Sequence, residues 1–205
     1  MPPKRLQYIR PDLRLIAELI DDDSRVLDLG CGTGDLLAQL VEEKNVQGHG
    51  IEIDVDNITE CIEKGVQVVH GDIDHGLGDY PDQSFDFVVL SQTLQAARRP
   101  HIILQDMLRV GKTGIVSLIN FAYFSVRWQL FIGGYMPKTK TLPYEWYDTP
   151  NIHLTTIRDF KDMVERFDLK IVKQINLGRS RRSGLLTNLA PNCFSDLSIF
   201  VIQHQ

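Results

Sequence analysis

The chain has 205 residues, 43% apolar and 24% charged, a balance that supports one folded domain with a sizeable core and excludes a disordered chain. Its formal net charge of -5 argues against a nucleic-acid binder, because neutralising phosphates requires a basic face. The three cysteines, Cys31, Cys61 and Cys193, are odd in number and form no CxxC pair, so they suggest neither a disulfide frame nor a metal site and point to a reducing cytoplasm.

Residues Met1 to Arg10 carry Lys4 and Arg5 but no apolar run of the signal-peptide kind, and no stretch approaches the roughly 20 apolar residues of a membrane span. A helix is expected from Pro11 to Ile20, with Leu13, Ile16, Leu19 and Ile20 on one face and Asp21-Asp22-Asp23 as its end. Then strands and helices alternate. Val26–Leu29 reads as a buried strand, Asp35 to Lys44 as a helix and Gly50–Ile53 as a second strand. A helix from about Asp56 to Lys64 stops at Gly65, and Val66 to His70 follows as a third strand. Phe85 to Leu90 reads as a fourth strand, Pro100 to Val110 as a helix and Ile115 to Asn120 as a fifth strand. Such alternation means βαβ units, hence an α/β fold with a parallel sheet covered on both faces.

From Phe121 to His153 the pattern changes to aromatics interrupted by glycine and proline, which reads as a short helix and an irregular cap. A helix through Ile157, Phe160, Val164 and Phe167 follows, with Thr155 or Thr156 as its N-cap. Two last strands, Leu169 to Leu177 and Leu197 to Gln203, flank a loop from Gly178 to Phe194 that holds Arg179, Arg181 and Arg182. The expected organisation is one domain over 1–205: a cofactor-binding half (1–120), a cap insertion (121–154) and a C-terminal helix with a strand hairpin (155–205).

The informative run is Val26-Leu27-Asp28-Leu29-Gly30-Cys31-Gly32-Thr33-Gly34. A buried strand leads into three alternating glycines and then a helix, which lets backbone approach a ligand closely near free helix N–H groups. Glu52, beside Ile53, ends the next strand at the distance where a dinucleotide-type site holds its ribose carboxylate. Gly71-Asp72-Ile73 opens the loop after the third strand and places a carboxylate for an adenine amino group. A nicotinamide or flavin fingerprint, G-x-G-x-x-G, fails here because its sixth place is Asp35, which would repel a pyrophosphate at a helix N-terminus. S-adenosylmethionine, or S-adenosylhomocysteine, carries no phosphate and meets no such objection. Cys31 reads as a small filler of the turn rather than a nucleophile.

VLDLGCGTG followed by GIEID resembles the first two motifs of class I S-adenosylmethionine-dependent methyltransferases. The resemblance implies a Rossmann-like fold with a mostly parallel seven-stranded sheet and an antiparallel last strand. It implies that Asp28 and the loop of Gly30, Cys31, Gly32 and Gly34 hold the methionine moiety, Glu52 the ribose, and Asp72 with Ile73 the adenine, with Ile53 and Ser91 also on the cofactor side. A narrower resemblance rests on GIEID-x-DN, Lys64-Gly65-Val66, SFDFVVLSQTLQA, MLRVGK and LPYEWYDTPNIH. These are similar to the methionine biosynthesis MetW family, whose members are associated with homoserine O-acyltransferase. The partner implied is therefore that acyltransferase.

On the substrate side, ligands bind beyond the carboxyl ends of parallel strands. Gln92 and Gln95 follow the fourth strand, Asn120 ends the fifth, and Tyr144, Trp146 and His153 come from the cap segment. Three functions stay open on these residues. They are a cofactor-binding partner of the acyltransferase, a methyltransferase acting on a small-molecule acceptor, and an interaction module without cofactor; the intact glycine turn and Glu52 disfavour the last. Ser91-Gln92-Thr93-Leu94 offers no Asn-Pro-Pro-Tyr run and no Pro-Cys pair, which disfavours a base methyltransferase.

Overall fold

The computed structural model describes residues 10–179 and 183–205. Helix α1 (Pro11–Ala17) begins with a proline, whose missing N–H costs nothing in a first turn. It is shorter than its apolar stripe suggests, because Leu19 and Ile20 close a tighter turn by bonding to the carbonyls of Ile16 and Ala17. Strand β1 (Arg25–Leu29) follows, then α2 (Asp35–Lys44), β2 (Gln47–Glu52), α3 (Val55–Glu63), β3 (Gln67–His70), β4 (Phe85–Ser91), α4 (Pro100–Val110) and β5 (Gly111–Ile119). Strand and helix alternate as expected from β1 to β3 and from β4 to β5, whereas β3 and β4 are joined by a loop that holds only a 3₁₀ turn (Ile73–His75). Val26, Leu27 and Leu29 of β1 are fully buried, as are Val88, Val89 and Leu90 of β4, so both strands are buried on both faces, with Asp28 the polar residue inside the buried stretch of β1.

β1 pairs in parallel with β2 and with β4, and β2 with β3. The chain reverses its direction of travel across the sheet at β1, and open α/β sheets bind ligands beyond the carboxyl ends of the strands at such a switch point, here β1 and β4. The full strand order is β3-β2-β1-β4-β5-β7-β6, a mixed seven-stranded sheet.

Two compact units are distinguished: one comprises residues up to Ser91 with Ile102–Ile115, the other Gln92–His101 with Val116–Gln205. In the second unit α5 (Phe124–Trp128) runs into a π turn (Gln129–Gly133), after which the cap segment has no regular structure. Helix α6 (Ile157–Arg166) is closed by a capping box in which Thr156 and Asp159 each bond the other's backbone N–H. β6 (Leu169–Leu177) and β7 (Leu197–His204) pair antiparallel with an irregularity between Ile171 and Lys173. Phe160 of α6 and Phe200 of β7 are fully buried with ring centroids 4.5 Å apart.

The connection between these strands is not the plain loop expected. It contains α7 (Leu185–Leu189) and α8 (Pro191–Phe194), each too short to show a helical period in sequence. Thr187 stitches α7 closed by bonding both the N–H and the carbonyl of Gly184, and Pro191 starts α8. Arg179 is exposed; Arg181 and Arg182 lie outside the described residues. No helix among the described residues is long and apolar enough to cross a membrane.

Candidate functional site

The turn after β1 uses left-handed backbone at every second residue: Gly30, Gly32 and Gly34 have φ of 72°, 54° and 75°. The N–H groups of Gly30 and Cys31 both donate to the Ile51 carbonyl, at 2.8 and 3.1 Å, which seats the turn on β2. A methyl group added at Gly34 would lie 2.8 Å from Cys61 Sγ. Left-handed backbone alone costs a side chain about 1–2 kcal/mol. Gly34→Ala is therefore expected to destabilise the protein by roughly 2 kcal/mol or more and to lower its melting temperature by about 5 °C. Calorimetric melting checks this, and an unshifted transition refutes it.

Helix α3 braces the turn from outside. Cys61 Sγ donates to the Gly32 carbonyl at 3.1 Å and lies 3.9 Å from Cys31 Sγ. Lys64 Nζ donates to the Thr33 carbonyl at 2.6 Å and to Asp35 Oδ1 at 2.7 Å. That ion pair corrects the argument from Asp35: its charge is offset by Lys64, so Asp35 does not by itself repel a pyrophosphate. Burial pushes both thiols up, Cys31 further through the negative charge of Asp28. A thiol held protonated is a poor nucleophile. With iodoacetamide at pH 8, half-buried Cys193 is expected to react first, and Cys31 and Cys61 only on unfolding. Peptide mass spectrometry reads this, and equal labelling of all three in the native protein contradicts it.

Two carboxylates face the turn. Glu52, at the end of β2, is 7% exposed. Its Oε2 accepts from Gly32 N at 2.7 Å, and its Oε1 accepts from Ile53 N and Asp54 N, both at 2.9 Å. A carboxylate offers about four lone-pair positions, so acceptor capacity remains for a ribose hydroxyl. Asp28, in β1, is buried, and its Oδ1 has no hydrogen-bond partner among the described residues. Its carboxyl is raised to about 7, chiefly by burial, with Arg10 pulling it down and Glu52 pushing it up. An unbonded buried carboxylate oxygen beside a second carboxylate suits a cationic donor and disfavours a phosphate.

Arg10 is a residue that sequence reasoning missed. Its guanidinium donates to Ser91 Oγ at the end of β4 (2.8 Å) and to Asp12 (3.1 Å) while acting electrostatically on Asp28. Only its basic character was visible in sequence. Asp72 begins the segment after β3, where the Gly71 N–H bonds the Glu52 carbonyl at 2.9 Å. Asp72 Oδ1 caps a short 3₁₀ turn by accepting from Asp74 N, and Ile73 beside it is half-buried. Of the neighbouring aspartates, Asp82 is paired with Arg109, which also bonds the carbonyls of Leu77 and Tyr80. Asp86 is held well below the usual carboxylate range by Lys112 and Arg25. Thus Asp28, the Gly30–Gly34 turn, Glu52, Ile53, Asp72, Ile73 and Ser91 all come from the carboxyl ends of β1 to β4.

A sequence model of the methionine biosynthesis protein MetW family matches residues 10–202. The chain belongs to the MetW family. It is 31% identical over 203 residues to the bifunctional methionine biosynthesis protein MetXA/MetW of Rhodopirellula baltica, covering 95% of this chain and 33% of that one. The chain therefore spans about a third of that relative's length. Among solved structures, it is similar to an S-adenosylmethionine-dependent methyltransferase from Archaeoglobus fulgidus, with a TM-score of 0.68, 19% identity and coverage of 95% and 91% of the two chains. It is also similar to the [4+2]-cyclase SpnF, with a TM-score of 0.66, 17% identity and coverage of 94% and 80%. These likenesses show the class I methyltransferase fold; they do not carry a reaction with them.

In this MetW family member the second unit holds the residues expected on the substrate side. Gln92 has a left-handed backbone, φ 63°, and its N–H donates to the Ser117 carbonyl at 3.0 Å. A non-glycine residue held in this region costs about 1–3 kcal/mol and marks a constrained position. Gln95 and Asn120 depart from the expectation. The Gln95 amide bonds both the carbonyl and the N–H of Ile119, at 3.0 and 2.8 Å. The Asn120 amide bonds the carbonyls of Asn192 and Ser195 and accepts from Ala122 N and Ile157 N. Both amides satisfy buried backbone groups and so act as clamps on the chain itself. His153 is tied through its backbone N–H to the Gln95 carbonyl, while its ring Nε2 is buried without a partner among the described residues. Tyr144 and Trp146 line a cavity of about 420 Å³ within the cap, with Phe121, Leu142 and Leu154 among its other walls.

Proposed function

We propose that this chain binds S-adenosylmethionine and acts in methionine biosynthesis as a partner of homoserine O-acyltransferase. The observation that carries the cofactor reading is the buried Asp28 oxygen without a bond, beside Glu52 at the mouth of the glycine turn. On this reading Asp28 receives the α-ammonium group, the Gly30–Gly34 turn passes along the methionine chain, Glu52 accepts from the ribose and the Asp72–Ile73 segment meets the adenine. The cofactor supplies an activated methyl group on a sulfonium, whose positive charge suits two carboxylates. Family membership and the bifunctional MetXA/MetW relative, taking its MetXA portion as the acyltransferase, support the partner half. Calorimetry with S-adenosylmethionine should give saturable binding at one site. The acyltransferase of the same organism should bind this chain, with turnover that depends on it. Absence of cofactor binding overturns the first half; an acyltransferase indifferent to the chain overturns the second.

A second reading, methyl transfer to a small metabolite, is favoured by the unpaired buried Nε2 of His153, a group of general-base type. Transfer of a labelled methyl group to metabolite extract, lost in His153→Ala, would establish it. Unlabelled products from an active, cofactor-bound preparation would exclude it.

A further inference from the structure

The cap segment between Phe121 and Leu154 keeps large apolar side chains in water. Phe131 and Tyr135 are each 82% exposed, Trp146 72%, Tyr147 71%, Trp128 65% and Ile132 62%. Scattered exposed apolar residues are ordinary; a contiguous set marks an interaction surface. Five of these are contiguous, and Phe131 adjoins Ile132 in the same turn. The cavity of about 420 Å³ shares the walls Gln129, Tyr135 and Met136 with a neighbouring one of about 260 Å³, which Trp128 and Ile132 line. Trp146 walls the first cavity and its ring stands edge-on to Tyr147, centroids 5.7 Å apart. Charge is sparse: across the whole segment only Arg127, Lys138, Lys140, Glu145 and Asp148 are charged. Lys138 and Glu145, both walls of the larger cavity, pair with each other. Aromatic enrichment with few charges is the composition of an interface centre rather than of ordinary surface.

We infer that this face of the cap is the surface on which the homoserine O-acyltransferase docks, with an apolar side chain of that partner seated in the larger cavity. The inference rests on the proposed partnership and adds where it is made. Area supports it. An aromatic side chain buries about 150–250 Å², so the six residues named offer on the order of 800 Å², the share one partner contributes to a standard interface. The bifunctional relative selects the occupant, since its MetW portion is tethered to a MetXA portion. A tether raises effective concentration to about the millimolar range, enough to hold such a face covered.

The test uses the full chain and the purified acyltransferase of the same organism, with association followed by calorimetry and by sedimentation. Phe131→Glu and Trp146→Glu each place a charge where the partner excludes water and should weaken association at least tenfold. Ile62→Glu, on α3 and 66% exposed, should bind like the wild type. Retained cofactor affinity and an unchanged melting temperature confirm that the variants are folded. If the wild type associates and both cap variants associate equally well, the surface is misassigned while the partnership stands. If the wild type does not associate, the partnership itself fails and takes this inference with it. Self-association of the wild type that the cap variants abolish, without any acyltransferase binding, would make the occupant a second copy of the chain and overturn the assignment.

Discussion

Asp28→Asn is expected to weaken S-adenosylmethionine binding by about 10- to 100-fold and, at the same time, to stabilise the free protein above neutral pH. Both effects come from one feature, a carboxyl raised from 3.8 to about 7 by burial. In the fold it holds its proton more tightly than in the unfolded chain. Its contribution to stability is therefore complete below about pH 4 and is lost as pH rises through about 7. Each tenfold change in proton affinity is worth about 1.4 kcal/mol, so by pH 8 the ionised side chain costs the free fold on the order of 4 kcal/mol. Asparagine carries no such cost, and a rise in melting temperature of roughly 8–16 °C at pH 8 should follow, shrinking to almost nothing at pH 4. Binding runs the other way. The α-ammonium group requires ionised Asp28, so wild-type affinity should climb roughly tenfold or more between pH 5.5 and 7.5, whereas the variant's weak binding should be flat. Loss of a charge-assisted hydrogen bond, about 1.5–3 kcal/mol, sets the size of the binding defect. A variant that binds like the wild type, with the same pH profile, would remove Asp28 from the site.

Why so much of this site could be read before the structure is a matter of locality. Val26 to Gly34 states its strand and turn within nine residues, because apolar burial and left-handed glycines are properties of adjacent positions. Glu52 was legible because one helix and one strand fix its distance from the turn. Arg10, Cys61 and Lys64 were not, since each acquires its role through contacts between elements far apart along the chain. Asp35 was misjudged for the same reason, its counter-charge arriving from α3.

Gln95 and Asn120 show the opposite failure. Polar amides just past strand ends look like substrate groups, yet the same strand ends leave backbone N–H and carbonyl groups without a ladder partner. In the second unit the two amides meet that need at Ile119, Ala122, Ser195 and Ile157. The segment after β5 holds the short helix that its sequence suggests, but the exposure of its aromatics is a property that composition does not reveal. Helices α7 and α8, of five and four residues, fall below the length at which periodicity is a signal at all.

Substitution at Glu52 should separate holding the turn from holding the cofactor. Glu52→Ala removes the acceptor of Gly32 N, Ile53 N and Asp54 N. Ile53 is 60% exposed, so water replaces the acceptor there, and the loss concentrates on the Gly32 N–H inside the turn. An expected destabilisation of about 2 kcal/mol follows from leaving that donor unmatched. Glu52→Gln keeps one oxygen for Ile53 N and Asp54 N but has only a second donor to set against Gly32 N, or the reverse. Its fold should persist while the turn moves. Both variants should lose cofactor affinity by about 100-fold or more, since the ribose acceptor and the turn geometry fail together. Thermal shift gives the discriminating number. At a cofactor concentration 100 times the wild-type dissociation constant, the wild type gains about 2.7 kcal/mol of stability, whereas a variant bound 100-fold more weakly gains about 0.4 kcal/mol. A Glu52→Gln protein that folds normally and shows the full wild-type shift would mean that the carboxylate serves the turn alone, and that the ribose is held elsewhere. A folded variant without the shift assigns Glu52 both tasks, because the same buried carboxylate both accepts from the turn and faces the ligand.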